Sequence, residues 1–167
     1  MPLDDAQMRL AAELGQRLLA RGWRVATAES CTGGLVAGAI TAIAGSSDWF
    51  ERGFVTYSNA AKVEMLGIAA ELIDRHGAVS EPVAAAMAAG AMANSAADCA
   101  LAVTGVAGPG GGTPAKPVGM VCFGWIVRRM QPRTATLRLP GDRAAVRDAS
   151  VEAALSGLLE MVAEVPL

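Results

Sequence analysis

One short polar stretch, Ala28-Glu29-Ser30-Cys31-Thr32-Gly33-Gly34, joins two segments of opposite preference. The preceding segment, 23–27, favours a β-strand, and the following segment, 35–43, is apolar and long enough for a helix. A turn between a strand and a helix lies at the carboxyl edge of an open α/β sheet, where ligands bind. The start of the helix also directs free backbone N–H groups toward that edge. The stretch therefore predicts an α/β fold with a ligand-facing turn.

Two side chains of this turn, Ser30 and Cys31, carry groups that can act as nucleophiles. The following pair, Gly33-Gly34, would let a substrate approach the backbone closely. A second interpretation is structural, because Ser30 or Thr32 could simply cap the helix. The turn alone leaves both interpretations open.

Length and charge limit the classes of protein to consider. The chain has 167 residues, which suits a single domain, 1–167, with a substantial core. No apolar run reaches the ~18 residues of a membrane span, and the N-terminus lacks the pattern of a signal peptide. The net charge is −2 and there is no basic run, which argues against nucleic-acid binding. We therefore expect a cytoplasmic protein that binds neither membranes nor nucleic acids.

Cysteine and histidine are too sparse for several kinds of site. The three cysteines, Cys31, Cys99 and Cys122, have no paired spacing, so a disulfide framework or a zinc site is not expected. His76 is the only histidine, which weakens a Ser-His-Asp or Cys-His mechanism. No cluster of metal ligands is visible, and we predict neither a metal nor another cofactor.

Hydrophobic patterns and turn residues predict the order of the elements. The predicted helices are 4–20, 35–44, 58–66, 69–75, 80–95 and 142–163, and the predicted strands are 23–28, 54–57, 99–104, 120–127 and 134–139. Strands and helices interleave, but the last two strands follow one another directly. This order predicts a three-layer α/β/α sandwich with a mixed central sheet.

A loop rich in glycine and proline, 105–119, connects the two most apolar strands. Glycines allow backbone N–H groups to converge on an anion, although the loop matches neither a Walker motif nor the dinucleotide fingerprint. A tight connection without a ligand is the alternative. Thr104 precedes the loop, and it would share a sheet edge with Ser30 if their strands run parallel.

A third motif, Tyr57-Ser58-Asn59-x-x-Lys62, follows a predicted strand. Most lysines are solvated, and one acts as a base only if its surroundings lower its pKa from about 10 toward 7 or 8. Beside a serine, such a lysine forms a Ser-Lys pair, a known variant of triad chemistry. Because His76 is the only histidine, Lys62 is the better candidate for activating Ser30.

The last motif is Gly141-Asp142-Arg143-x-x-x-Arg147 at the start of the final helix. The two arginines are four residues apart and share a helix face, so together they could hold a phosphate or carboxylate. The alternative is a solvated face with Asp142 as the helix cap.

Taken together, the motifs resemble the C-terminal domain of the CinA competence/damage-inducible family, which includes stand-alone nicotinamide-nucleotide amidohydrolases. The resemblance covers nearly the whole chain in order and rests on Ala28-Glu29-Ser30-Cys31-Thr32-Gly33-Gly34, Thr56-Tyr57-Ser58-Asn59-x-x-Lys62, Gly77-Ala78-Val79-Ser80-Glu81, Thr104-Gly105-x-Ala107-Gly108-Pro109-x-Gly111-Gly112, Lys116-Pro117-Val118-Gly119 and Gly141-Asp142-Arg143-x-x-x-Arg147.

The resemblance implies hydrolysis of nicotinamide mononucleotide to nicotinic acid mononucleotide and ammonia, within the bacterial pyridine-nucleotide cycle, by a homodimer. It implies Ser30 as the nucleophile, Lys62 as its base and Tyr57 as an assisting residue. The candidate substrate-binding residues are Glu29, Cys31, Thr32, Gly33, Gly34, Asn59, Thr104, Gly105, Gly108, Gly110, Gly111, Gly112, Thr113, Arg143 and Arg147.

Two other functions compete with this one. Cys31 could be a thiol nucleophile, because a helix N-terminus can lower a thiol pKa. The chain could also be a non-enzymatic module that binds a nucleotide or a partner. The co-occurrence of Ser30, Tyr57 and Lys62 with the glycine loop argues against that module, since a pure binder has no need of a serine and a lysine at one site.

Overall fold

The computed structural model of the protein describes residues 4–167. In this part of the chain the strands are β1 (Val25–Glu29), β2 (Phe50–Val55), β3 (Cys99–Gly105), β4 (Met120–Val127) and β5 (Arg133–Arg138). The α-helices are α1 (Asp5–Arg21), α2 (Leu35–Thr41), α3 (Asn59–Leu66), α4 (Ala70–His76), α5 (Glu81–Ala93) and α6 (Arg143–Glu164). Within 4–167, no helix is both long and apolar enough to cross a membrane.

The strands form one sheet in the order β2-β1-β3-β4-β5. The β1 strand runs parallel to both β2 and β3, whereas β4 runs antiparallel to β3 and β5. Helices α1, α2 and α6 pack on one face of the sheet, and α5 covers the other face with α3 and α4 against it. The predicted three-layer α/β/α sandwich with a mixed sheet is confirmed.

The sheet separates two apolar layers of different character. The layer under α1, α2 and α6 contains large side chains such as Leu14, Trp49 and Phe123. The layer under α5 is built largely from small residues, including Ala100 and Ala102 of β3. Small residues allow α5 to lie close to the sheet, and this brings the α4–α5 connection to the edge where β3 ends.

This close approach makes Gly124 in β4 a sensitive position. A Cβ there would overlap the backbone carbonyl oxygen of Ala84 in α5. We expect Gly124→Ala to lower the free energy of unfolding by about 1–3 kcal/mol, the usual cost of overpacking. Gly38→Ala is the control, because a Cβ at this exposed helical position meets nothing within 4 Å. Urea unfolding measures both, and equal stability of the two variants would contradict the prediction.

Several element boundaries differ from those predicted. The predicted start of β2 at residue 54 is wrong, because parallel pairing with β1 begins at Phe50 and includes the exposed Arg52 and Gly53. The predicted loop 45–48 contains a short 3₁₀-helix, Ser46–Asp48, and α2 ends before it at Thr41. The bounds of β4 are as predicted, since a strand buried on both faces has a clear apolar signal.

Candidate active site

The β1 and β2 strands end at the same level, β3 continues to Gly105, and together they create the edge that the sequence predicts. Glu29 of β1 lies beside Val55 of β2 and Val103 of β3. Beyond this register, the Ser30 N–H donates to the Val103 carbonyl at 3.0 Å, and the Thr56 N–H donates to the Glu29 carbonyl at 2.8 Å. Side chains that follow β1, β2 and β3 therefore meet at one place.

A cleft of about 320 Å³ opens at this edge. Eleven of the predicted site residues line it, and they come from all three strand ends, from α3, from the glycine loop and from α6. They are Ser30, Cys31, Tyr57, Asn59, Lys62, Thr104, Gly105, Gly108, Gly110, Gly111 and Arg143. Seven other predicted residues do not line it: Glu29, Thr32, Gly33, Gly34, Gly112, Thr113 and Arg147.

Lys62 and Ser30 form the chemical centre of the cleft. Ser58 caps α3 by accepting from the Ala61 N–H, and this start places Lys62 one turn into the helix. The lysine is only 1% exposed, and its Nζ lies 3.1 Å from Ser30 Oγ. The same Nζ lies 2.9 Å from the Thr56 carbonyl oxygen and 3.3 Å from that of Tyr57.

Burial lowers the pKa of Lys62 from its ordinary value of 10.5, because the charged ammonium loses its hydration. A neutral amine has two N–H groups and one lone pair. The N–H groups match the two backbone carbonyls of Thr56 and Tyr57, and the lone pair can accept the Ser30 hydroxyl proton. A lysine and a serine in this arrangement can act chemically as a general base and a nucleophile.

The Tyr57 phenol lies on the rim rather than beside Ser30. Tyr57 is 63% exposed, and Arg143 Nη2 donates to its hydroxyl at 3.4 Å. The backbone carbonyl of Tyr57, in contrast, accepts from Lys62 and lies 3.5 Å from Ser30 Oγ. Tyr57 therefore contacts the serine–lysine pair through its main chain.

Glu29 lies beneath the turn instead of in the cleft. Its buried carboxylate accepts from Thr32 Oγ1 at 2.6 Å and from the N–H groups of Val36 at 2.8 Å and Ala37 at 3.0 Å. The expectation that the start of α2 offers free N–H groups is therefore wrong for Val36 and Ala37. Glu29 replaces the side-chain cap that Gly34, at the N-cap position, cannot supply.

The two arginines of α6 diverge rather than forming one fork. Arg143 Nη1 donates to the Gly108 carbonyl at 2.8 Å, so this arginine joins the glycine loop to the rim. Arg147 donates to the carbonyls of Cys31 at 3.1 Å and Thr32 at 3.4 Å. Both arginines also line a second cavity of about 630 Å³ beside the cleft.

The glycine loop is a shaped structure, and only part of it reaches the cleft. Gly108 and Gly111 adopt positive φ angles of 84° and 86°, which side chains rarely adopt. Thr113 instead closes a turn, since its N–H donates to the Lys116 carbonyl at 2.9 Å and its hydroxyl accepts from the Lys116 N–H at 3.0 Å. The Lys116 ammonium donates to the His76 carbonyl and ties this turn to the end of α4.

The structure adds lining residues that the sequence analysis did not assign to the site. The added side chains are apolar and small, and they are Ala78, Val79, Val106 and Ala107. Thr104 Oγ1 donates to the Ala78 carbonyl at 2.9 Å, which joins the α4–α5 connection to the end of β3. Apolar side chains carry no chemical signal, so only their place within the family motifs could have pointed to them.

The buried environment of Cys31 bears on the thiol alternative. Burial, the largest effect, raises the pKa of the Cys31 thiol to about 11, so the thiolate is scarce at neutral pH. We therefore expect Cys31→Ser to keep most of the ammonia-releasing activity proposed below. Steady-state turnover of the purified variant tests this, with its melting temperature as the control for folding. Complete loss of turnover in a folded Cys31→Ser protein would instead favour a thiol nucleophile.

The fold and the site define a class of protein. It is an α/β sandwich with a serine–lysine pair at the carboxyl edge of its parallel strands. The chain matches the family model described as the CinA C-terminal domain over residues 7–162. The protein belongs to this family, and the resemblance inferred from the motifs is confirmed.

Close relatives carry informative names. Nicotinamide-nucleotide amidohydrolase PncC of Escherichia coli (strain K12) is 52% identical over 155 residues, which cover 93% of this chain and 94% of that protein. A CinA-like protein of Mycolicibacterium vanbaalenii is 56% identical over 137 residues, 82% of this chain but 32% of that protein. The crystal structure of the competence/damage inducible protein CihA from Agrobacterium tumefaciens superposes with a TM-score of 0.94 at 44% identity, covering 96% of this chain and 98% of that one.

Proposed function

We propose that this protein is an amidohydrolase that converts nicotinamide mononucleotide and water into nicotinic acid mononucleotide and ammonia. The observation that carries the proposal is the 3.1 Å contact between the buried Lys62 Nζ and Ser30 Oγ at the cleft. The names of the PncC relatives, which match over nearly their whole length, support the same substrate.

In the proposed reaction, Ser30 Oγ attacks the carboxamide carbon and its proton passes to Lys62. The tetrahedral intermediate collapses, the C–N bond breaks, and the leaving nitrogen takes the proton from Lys62 to depart as ammonia. Water then attacks the Ser30 ester while Lys62 accepts its proton, and the carboxylic acid product leaves as Ser30 regains a proton. We assign both proton transfers to Lys62 because it contacts Ser30, whereas the Tyr57 phenol lies at the rim.

The remaining parts of the substrate have matching groups around the cleft. The oxyanion of the intermediate needs N–H donors, and the turn 31–34 beside Ser30 carries the candidates. The phosphate needs a cation and N–H groups, and Arg143 lies beside Gly108 at the cleft wall. We propose Arg143, with the backbone at 108–111, as the phosphate site.

Ammonia release from nicotinamide mononucleotide by the purified protein tests the proposal. Chromatography should identify nicotinic acid mononucleotide in an equal amount. Binding of the nucleotide without ammonia release, by a folded protein, would overturn the amidase and favour a binding module.

Three further proposals rest on the family resemblance. They are participation in the bacterial pyridine-nucleotide cycle, action as a homodimer and a cytoplasmic location. The molar mass of the purified protein, measured by light scattering, tests the homodimer, and a monomeric mass would contradict it.

A further inference from the structure

The turn that carries Ser30 is held by two charged side chains from different elements of the fold. From β1, the Glu29 carboxylate holds the Thr32 hydroxyl and the start of α2. From α6, Arg147 Nε and Nη2 hold the two consecutive carbonyls of Cys31 and Thr32. An acid and a base far apart in the chain thus fix the peptide units that follow Ser30.

Fixing these carbonyls also fixes the N–H groups. In a trans peptide unit the C=O and N–H point in opposite directions, so the Thr32 N–H points away from Arg147, which holds the Cys31 carbonyl. The Ser30 carbonyl accepts from the Gly33 N–H at 3.0 Å, which turns the Cys31 N–H to the other side of its peptide unit. Within residues 4–167, neither the Cys31 nor the Thr32 N–H donates to a protein oxygen.

These N–H groups directly follow Ser30, whose side chain lines the cleft. Ser30 and Cys31 line the cleft, whereas Arg147 lines the neighbouring cavity and not the cleft. An N–H that points away from Arg147 can therefore face the cleft. There it can meet the oxygen of a carbonyl under attack by Ser30 Oγ.

We propose that Arg147 is a positioning residue that holds the nucleophile turn through the Cys31 and Thr32 carbonyls, so that the N–H groups of Cys31 and Thr32 form the oxyanion site, and that it does not bind the substrate phosphate. This inference rests on the proposed amidohydrolase function. It divides the two arginines of α6 between different tasks, with Arg143 at the phosphate and Arg147 behind the nucleophile turn.

The surroundings of Arg147 favour this assignment. Among the described residues Arg147 takes part in no salt bridge, and it donates hydrogen bonds to the Cys31 and Thr32 carbonyls of the turn. A guanidinium presents its donors in a rigid fork that suits two neighbouring acceptors, which a lysine ammonium cannot reproduce. Gly33 has a φ of 55°, a left-handed backbone conformation that favours glycine, and a Cβ there would make an ordinary contact with Arg147 Nη2 at 3.5 Å.

The first test separates positioning from phosphate binding. Arg147→Met is expected to lower kcat about 10- to 100-fold, since displaced oxyanion donors cost rate. Binding of nicotinamide mononucleotide, measured calorimetrically in a Ser30→Ala background, should be unchanged by Arg147→Met. Arg143→Met, one turn away on the same helix, should weaken that binding. Arg147→Lys, which keeps the charge but not the fork, should restore little of the lost kcat.

Two results of this test would overturn the inference. Weakened nucleotide binding with kcat retained would make Arg147 a phosphate ligand. A lower melting temperature with kcat of the folded protein retained would make it a purely structural residue. Glu160→Gln, exposed on the same helix, is the control for surface changes in α6.

The rate at which a fluorophosphonate probe labels Ser30 tests the oxyanion site without the natural substrate. Ser30 Oγ attacks phosphorus, the P–F bond breaks, fluoride leaves and the serine proton passes to Lys62, while the phosphoryl oxygen occupies the oxyanion site. We expect Arg147→Met to slow labelling of Ser30 about 10-fold or more. If the wild-type protein is labelled but releases no ammonia, only the proposed function is refuted. The labelling rates of wild type and Arg147→Met would still decide the role of Arg147. Equal labelling rates, or an unlabelled wild-type Ser30, would overturn the inference.

Discussion

Replacing Ser30 by alanine is expected to lower kcat for ammonia release about 10⁴- to 10⁶-fold, the scale of loss when one member of a serine-hydrolase catalytic triad is removed. The physical reason is that no other nucleophile is both deprotonated and in place. The Cys31 thiol has its pKa raised to about 11 by burial, and Lys62 Nζ is aligned on Ser30 Oγ. An enzyme-coupled ammonia assay on wild type and Ser30→Ala, at matched protein concentration, measures the loss.

The variant should remain folded, which makes its activity informative. The Ser30 hydroxyl contacts Lys62 Nζ and the Tyr57 carbonyl and caps no helix, so its removal changes the fold little. Ser47→Ala, at an exposed serine of the 3₁₀-helix, is the matched control and should keep full turnover. Near-normal turnover by Ser30→Ala would exclude an ester on Ser30 as an obligatory intermediate.

Replacing Lys62 by methionine is expected to lower kcat about 10²- to 10⁴-fold, the usual contribution of a general base. In the wild type, activity should rise with pH, because Lys62 must lose its proton before it can accept that of Ser30. Burial lowers the pKa of Lys62, so this rise should be centred below 10.5, the ordinary value for lysine. The pH profile of kcat/KM measures it, and a profile that stays flat through neutral and alkaline pH would contradict the assignment.

The same lowered pKa predicts a pH dependence of stability. Between the folded-state pKa of Lys62 and 10.5, the unfolded chain binds a proton that the folded protein does not. The contribution of Lys62 to the free energy of unfolding therefore increases as pH rises through this window and falls as pH is lowered. Urea unfolding of wild type and Lys62→Met should show a difference that grows with pH in favour of the wild type. Lys116→Met, at the only other lysine of the chain, should not reproduce this change.

Local patterns were sufficient for most of the fold. The β4 strand, Met120–Val127, is apolar on both faces, and the cap and stop of α3, Ser58 and Gly67, are standard helix signals. The two final strands follow one another without a helix between them, and this order predicts the antiparallel pairing of β4 with β5 and therefore a mixed sheet. The shorter α2 and the longer β2 were not predictable, because strand pairing and the 3₁₀-helix at Ser46–Asp48 decided their ends.

The site could be predicted as a set of motifs but not as a geometry. Ser30 and Lys62 are 32 residues apart and share no local pattern, yet their motifs predict a serine–lysine pair, and the structure brings the two side chains into contact. It did not foresee that Glu29 and Arg147, both candidate substrate-binding residues, contact the turn instead of lining the cleft. The catalytic and binding roles stay predictions, as does the extent of a single domain over 1–167.

By itself, the sequence determined the order of strands and helices, the mixed sheet and the family, because these follow from periodicity, turn residues and motif order. Only the tertiary structure decided which polar groups face the cleft and which face the protein. That choice depends on partners distant in the chain, as with Arg147 and the Cys31 carbonyl, or Lys62 and the carbonyls of Thr56 and Tyr57. Packing determines both the surroundings of a charged side chain and whether that side chain meets a substrate or the backbone.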